Sequence, residues 1–379
     1  MPLPRRAGRS KSTSMAAYRI TEELKRFNQR FTAFSRAKWD DSSAAYKAEQ
    51  ESRKPAGERR AHGYGKQDLA LQAGAWAVAR SKMQGPGAPG SDVQEMGVED
   101  GETHDRYEPD DLGPLTRQVK DAASLYGADL VGIARVNPLW VYACNNDEKP
   151  IHLPAGVDTA VVMAVGMDYE RIRTSPSAIA GAATGNGYSR MAFTGACVAR
   201  YLTELGWRAK ACGNDTALSI PLAIDAGLGE QGRNGLLITR DFGPRVRLFK
   251  VLTDAPLVPD EPDVFGVEAF CDVCQKCTKT CPSKSITPGP MTDRGPTPSN
   301  NPGTLKWYTN PDTCLAFWRR NGVSCANCIR SCPFNKPPGM LHDLARWLVR
   351  ARSHTFDRAL VLGDDLLGYG RAVKPDTSV

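Results

Sequence analysis

From residue 114 onward the chain alternates between two kinds of apolar spacing. LTRQVKDAASLYG repeats its apolar positions at helical intervals, whereas ADLVGIARV is a short apolar run that reads as a buried strand. DTAVVMAVGM reads as a second strand, and YSRMAFTGACVARYLTELGW as an amphipathic helix closing at Gly206. ALSIPLAIDAGLG is a further helix with glycine at its end, and GLLIT and VRLFKVLTD are two more short strands. This alternation over 114–254 predicts an α/β layer on one sheet. Upstream, ITEELKRFNQRFTAFSRAKW has helical spacing, so 1–62 reads as mainly helical, and 63–113 as loop-rich. The three prolines of APLVPDEPDVFG (255–266) mark a boundary. Near the C-terminus MLHDLARWLVRARS reads as a helix followed by a less regular tail. The expected units are 1–113, 114–262, 263–345 and 346–379.

Composition adds little until charge and cysteine are placed. Of 379 residues, 41% are hydrophobic and 24% charged, which is ordinary for a globular chain. No stretch approaches the roughly 18–20 apolar residues of a membrane-spanning helix. The net charge of +7 is concentrated in 1–62, where 15 basic residues face 7 acidic ones, while 92–111 holds nine acids and one arginine. The basic charges follow a helical pattern without a nucleic-acid-binding signature, so they read as a solvated face and no nucleic-acid partner is expected. Arg5 and Arg6 lack the apolar run that completes a twin-arginine export signal. The expectation is a cytoplasmic chain, or an exported, membrane-associated one from which a leader has been removed.

Eight of the eleven cysteines lie between 271 and 332. The first group is Cys271-x2-Cys274-x2-Cys277-x3-Cys281-Pro282, and the second is Cys314-x10-Cys325-x2-Cys328-x3-Cys332-Pro333. The first is the bacterial ferredoxin pattern, in which three closely spaced thiolates converge on one cubane and the fourth reaches its neighbour. The pairing is therefore expected to be crossed. One [4Fe–4S] cluster takes Cys271, Cys274, Cys277 and Cys332, and the other takes Cys314, Cys325, Cys328 and Cys281. Structural zinc sites, the alternative, pair two CxxC units and have no use for the x3-Cys-Pro tail. Two such clusters form an electron wire, so a redox centre is expected in the rest of the chain.

Several other features carry less. GLGEQG (Gly227, Gly229, Gly232) matches a dinucleotide string, but a helix precedes it and a strand follows, the reverse of a Rossmann site. Its glycines would still let backbone approach a large flat ligand closely. His62, His104, His152, His342 and His354 are scattered, and no D-x-H-x-x-G string supplies a histidine for a cobalamin cobalt. Cys197 reads as core, and Cys144 and Cys212 have no evident partner. A polar set interrupts the apolar chain: TGNGYSRMA with Thr184 and Tyr188, CGNDTALSIPLAI with Asn214, and FGPRVRLFKVLTD with Arg245 and Arg247. A tyrosine, an amide and an arginine sharing a pocket would make a proton donor, since arginine stabilises tyrosinate. The pattern leaves Arg245 and Arg247 both open.

The strings AVVMAVGMDYERIRTSPS, GYSRMA, CGNDTALSIPLAIDAGLGEQGRNGLLIT, FGPRVRLFKVLTDAPLVPDEPDVFGVEAFCDVCQKCTKTCPSKSI and CLAFWRRNGVSCANCIRSCPFNK together resemble the corrinoid- and iron–sulfur-dependent reductive dehalogenases. Weaker similarity runs upstream through GADLVGIARVNPLW, LQAGAWAV and ITEELKRFNQRFTAFSRAKWD. The resemblance implies an α+β chain: a nitroreductase-like α/β core binding a base-off cobamide, beside a tandem [4Fe–4S] ferredoxin-like module. It implies Tyr188 as proton donor, Arg247 rather than Arg245 as its partner, and Asn214 as a polar pocket residue. Trp318 and Trp76 correspond to aromatic pocket walls, and Thr184 completes the candidate substrate pocket. The implied reaction replaces the halogen of a small organohalide by hydrogen at Co(I). Electrons would come from reduced ferredoxin, flavodoxin or a membrane donor, with a small membrane-anchor protein as a possible partner. The segment ARSKMQGPGAPGSD lacks aromatics that some members place in the substrate channel, so substrate range is expected to differ. The alternatives are an epoxyqueuosine reductase-like tRNA-modifying enzyme, in which an aspartate is the expected acid, and an electron-transfer ferredoxin without corrinoid.

Overall fold

The computed structural model describes residues 18–51, 62–80, 106–337, 339, 342, 349 and 353–373. Arg5 and Arg6, most of the acidic run and most of the helix expected over 340–353 lie outside the described residues. In chain order the structure contains β1 (Arg19–Ile20), α1 (Ala33–Trp39), α2 (Ala44–Gln50), α3 (Lys66–Ala75), α4 (Ala77–Arg80) and α5 (Leu112–Leu125). There follow β2 (Leu130–Arg135), β3 (Thr159–Gly166), α6 (Tyr169–Arg173), α7 (Ala178–Glu204), β4 (Ala209–Cys212) and α8 (Ser219–Asp225). Next come β5 (Glu230–Gln231), β6 (Leu237–Ile238), β7 (Val246–Thr253), α9 (Val267–Val273) and α10 (Lys276–Thr280). The chain continues through β8 (Thr304–Leu305), α11 (Pro311–Asn321), α12 (Asn327–Arg330) and α13 (His354–Leu366). No described helix is long and apolar enough to cross a membrane.

The core is a four-stranded antiparallel sheet in the order β2-β3-β7-β4. Side chains alternate between the faces of a strand. Val161, Met163, Val165, Phe249 and Val251 accordingly enter one core with Leu115 of α5 and Val198 and Leu202 of α7. Ala160, Val162 and Leu252 enter a second core with Leu222, Ala223 and Ile224 of α8. Burial on both faces explains why these strands read as unbroken apolar runs rather than alternating ones. Arg247 shares the odd-numbered face of β7 with Phe249 and Val251, toward α7. Lys250 shares the opposite face with Leu252.

The structure departs from the pattern in several places, among them helix α3 inside the stretch read as loop-rich, and GLLIT, whose strand β6 pairs with β5 outside the four-stranded sheet. Helix α7 begins ten residues before the predicted start at Tyr188, with the Ser177 side chain accepting from Ala180 N–H. Its first turns carry Gly181, Gly185 and Gly187, poor helix formers that hide the helix from a propensity reading. They are needed for contact: a Cβ at Gly185 would lie 2.4 Å from the Trp76 ring, and one at Gly187 would lie 2.9 Å from Arg247 Cγ. Residues 20–32 are not helical except for a short 3-10 turn at Gln29–Phe31. Their backbone is bonded to distant chain, Thr21 N–H to the Gly303 carbonyl and Gln29 N–H to that of Cys144, and the α-helix starts only at Ala33. The tail after the cysteine groups contains the regular helix α13. Finally, two glycines of GLGEQG admit the chain itself, since Cβ atoms at Gly227 and Gly229 would collide with the Glu261 and Ile238 carbonyls, whereas Gly232 lines a cavity.

Candidate active site

Where the core meets the cysteine-bearing module there is a cavity of about 920 Å³. Its core wall includes Thr184, Tyr188, Asn214 and Arg247, and its module wall includes Lys306 and Trp318. The Tyr188 hydroxyl accepts a hydrogen bond from Asn214 Nδ2 at 3.1 Å. Trp76 stacks on the tyrosine ring with centroids 5.0 Å apart and planes at 25°. The Arg247 guanidinium lies 5.1 Å from the same ring's centroid, a cation–π distance. Thr184 is buried one turn earlier on α7, its hydroxyl toward Met167 Sδ at 3.9 Å. The structure thus brings together Tyr188, Asn214, Arg247, Trp76 and Thr184.

Arg245 has a different job. It is buried just before β7, with Nε donating to Asn335 Oδ1 at 2.9 Å and Nη1 donating to the Met167 carbonyl. Arg247 Nε, by contrast, is buried without a hydrogen-bond partner, as is Trp318 Nε1. Both residues line the cavity, so each brings a buried donor that no protein acceptor satisfies to its wall.

Lys250 positions the loop that carries Asn214. Its ammonium, fully buried among apolar side chains of the sheet, donates to the carbonyls of Gly213 at 2.6 Å, Asp215 at 2.9 Å and Ala217 at 2.7 Å, and to Ser219 Oγ at 3.2 Å. Burial pushes the lysine pKa down. Asp215 completes the loop by accepting from Gly213 N–H and the Thr216 hydroxyl. Sequence reasoning missed Lys250, although a lysine within the apolar run VRLFKVLTD was a visible signal. Lys306 was also missed. Its ammonium sits 4.8 Å from the Tyr308 ring centroid, and burial lowers its pKa to about 8.

The module opposite holds the eight cysteines in two groups. Cys271 lies in α9, Cys274 caps its end, Cys277 lies in α10 and Cys281 caps that helix. Burial and the nearby Cys271, Cys274 and Cys277 push the Cys332 thiol well up. Burial and the nearby Cys314 and Cys325, with Cys277 and Cys281 beyond, do the same to Cys328. Cys332 therefore sits with the first group's three leading cysteines, and Cys281 sits with Cys314, Cys325 and Cys328. For Cys281, burial raises the thiol pKa, but hydrogen bonds from Ser283 and the Ser285 N–H outweigh it and leave the pKa lowered. Among the described residues no three His, Cys, Asp or Glu side chains converge as a single metal ion would require. A cubane instead needs four thiolates spaced around a body, one per iron. Arg330 fits such an occupant: it is buried near Cys325, and its Nε and Nη1 have no partner. Helix α11 joins the two sites, placing Cys314 and Trp318 four residues apart and so on one face.

Comparison with known proteins agrees with this division. Residues 137–257 match the family model for a reductive dehalogenase subunit, and residues 270–336 match that for a 4Fe-4S dicluster domain. The tetrachloroethene reductive dehalogenase of Desulfitobacterium hafniense is 38% identical over 301 residues, 68% of this chain and 54% of the relative. That of Sulfurospirillum multivorans is 38% identical over 299 residues, 70% of this chain and 59% of the relative. The chain thus spans a little over half the length of these curated relatives. A catabolic reductive dehalogenase, solved in complex with 3-bromo-4-hydroxybenzoic acid, aligns over 94% of this chain and 48% of its own. Its TM-score is 0.71 at 23% identity, a likeness of fold. Another reductive dehalogenase structure, reported to suggest a mechanism for B12-dependent dehalogenation, gives a TM-score of 0.69 at 24% identity over the same shares.

Proposed function

We propose that this chain, which belongs to the reductive dehalogenase family, removes halogen from an organohalide reductively, with Tyr188 supplying the proton that takes the halogen's place. The observation that carries this reading is the arrangement of Asn214, Tyr188 and Arg247 on one wall of a cavity whose other wall is the dicluster module. A corrinoid fits the residues present. The cavity's volume is at the upper end of the range for ligand pockets, and two residues that line it, Arg247 and Trp318, each keep a buried donor without a protein acceptor. When bound, the corrinoid supplies the reducing centre for carbon–halogen cleavage, and two [4Fe–4S] clusters in the cysteine quartets supply its electrons.

The chain's own residues do the rest. Asn214 donates to the Tyr188 oxygen, so the tyrosine's own hydrogen is free to point into the cavity. Trp76 fixes the plane of the ring. Once the proton has left, the Arg247 charge over the ring stabilises the tyrosinate, which favours donation. Lys250 holds the Asn214 loop in place. Trp76 and Trp318 give the pocket apolar walls that exclude water from the reacting carbon.

The test is anaerobic reconstitution with a cobamide, iron and sulfide, followed by turnover against a halocarbon panel with halide release as readout. Tetrachloroethene and 3-bromo-4-hydroxybenzoic acid are the first probes, being the compounds named for the relatives. Halide release that depends on both cobamide and reductant is expected. Protein that binds both clusters but retains no corrinoid would favour an electron-transfer role instead.

A further inference from the structure

The GLGEQGRN segment, which binds no nucleotide in this reading, is where the core grips the cluster module. Glu230 accepts three backbone N–H bonds at the start of α9, from Phe265 at 2.6 Å, Gly266 at 2.9 Å and Val267 at 3.1 Å. Three residues on, Arg233 is 1% exposed. Its Nε donates to the Cys271 carbonyl at 2.9 Å, and its Nη1 donates to the carbonyls of Thr287 at 3.2 Å and Gly289 at 2.8 Å. Its guanidinium lies 4.5 Å from the centroid of Trp307, whose indole N–H also donates to Gly289. Every one of these partners is neutral.

A fully buried cation with only neutral partners is costly unless an opposite charge is near. The other cations beside this quartet are matched: Lys276 pairs with Asp364 and Asp365, and Lys336 pairs with Asp364. Glu230 spends its charge on the three N–H groups at the helix N-terminus. Among the described residues Arg233 has no such carboxylate, and its fork instead holds the backbone of Cys271, a cysteine of the quartet. A cubane held by four thiolates carries net negative charge, and reduction adds one more electron. Net charge around the cluster is one of the terms that set its potential.

We propose that Arg233 is the fixed counter-charge of the cluster held by Cys271, Cys274, Cys277 and Cys332, and that it raises that cluster's reduction potential. The inference rests on the dicluster reading above but not on dehalogenation. Arg233 is a positioning residue, since it acts through the cluster and not on substrate. Its geometry serves both ends: the fork pins the chain carrying Cys271, and the charge favours the reduced state.

An EPR-monitored redox titration of the reconstituted full chain tests this, the cluster in question being the couple altered by Cys332→Ser. Arg233→Gln keeps a donor and loses the charge. It is expected to lower that midpoint enough for at least a tenfold fall in reduced-to-oxidised ratio at fixed potential, about 59 mV for one electron. The other cluster's midpoint stays put. Arg233→Lys keeps the charge and is expected to move less than half as far. An unchanged midpoint in Arg233→Gln at wild-type iron content overturns the proposal. So does an Arg233→Lys midpoint that falls by about 59 mV or more, and this second arm decides the matter if Arg233→Gln loads only one cluster. Wild-type protein that takes up no iron overturns the dicluster reading itself, which iron analysis reveals before any titration.

Discussion

The two walls of the cavity are built on opposite plans. On the core wall, polar groups are largely spent on one another: Asn214 on Tyr188, and Lys250 on three carbonyls and a hydroxyl. Among the described residues, the buried side-chain atoms left over there are Arg247 Nε and Asn146 Oδ1. On the module side, Trp318 Nε1 on the cavity wall has no partner and Lys306 lies over the Tyr308 ring, and deeper in the module two Arg330 nitrogens near Cys325 have none. The core wall is preorganised, holding one hydroxyl in one direction. The module wall instead presents donors and cations to acceptor-rich or anionic groups. Preorganisation suits proton delivery, where geometry sets the rate. Unspent positive charge suits groups that gain electrons.

Removing a thiolate should affect the module wall most and the core wall least. Cys328→Ser is expected to cost one of two clusters, reducing bound iron from about eight to about four per chain. The melting behaviour of the sheet domain should hardly change. Equal loss of both clusters would break the separation into two quartets.

Next in size is Lys250→Met. The change leaves three buried carbonyls without their donor, and hydrogen bonds to charged groups are worth about 1.5–3 kcal/mol each. A stability loss of about 3 kcal/mol or more is expected in denaturant unfolding. Slower dehalogenation at unchanged iron content should accompany it, because the Asn214 loop loosens. Wild-type turnover in a destabilised Lys250→Met protein would separate Lys250 from the site.

A smaller effect is expected within the cluster module from Arg330→Gln. Its charge and unspent donors lie near Cys325, so the second cluster's midpoint should fall by tens of millivolts, on the order of a tenfold change in ratio. The cluster beside Arg233 should not move. Equal shifts of both clusters would show that the arginines act as one diffuse field.

The smallest effect concerns Lys306, whose folded pKa of about 8 lies below its unfolded value. A lysine depressed by burial destabilises the fold while charged in both states, that is, below about pH 8. The penalty fades as pH rises toward the unfolded pKa. Lys306→Met should therefore unfold at higher temperature than wild-type apoprotein at pH 7, with the gap closing by pH 10. A gap independent of pH would mean that Lys306 is solvated.

Sequence legibility followed how local the determinants were. The strands were readable because both faces of the sheet are buried, so TAVVMAVG and VRLFKVLT are apolar almost throughout. The start of α7 was not, because its glycines serve contacts with Trp76 and Arg247 that lie far away in sequence. Residues 20–32 carried a helical pattern that hydrogen bonds to Gly303 and Cys144 override. In the site, the cysteine spacing was enough to expect a dicluster domain, which the match over 270–336 bears out. Tyr188 and Asn214 stood out only as polar interruptions, and the spacing left Arg245 and Arg247 open, a choice the family resemblance made for Arg247. Arg233 gave no signal, since a buried arginine looks like any other until its neutral surroundings are known.

The central claim is that Tyr188, held by Asn214 and Arg247, delivers the proton. The most direct measurement compares halide release by wild-type and Tyr188→Phe proteins, both shown by absorbance and iron analysis to carry cobamide and two clusters. The account predicts a loss of about 10²–10⁴-fold, the usual worth of a positioned general acid. Undiminished halide release from fully loaded Tyr188→Phe protein would contradict it.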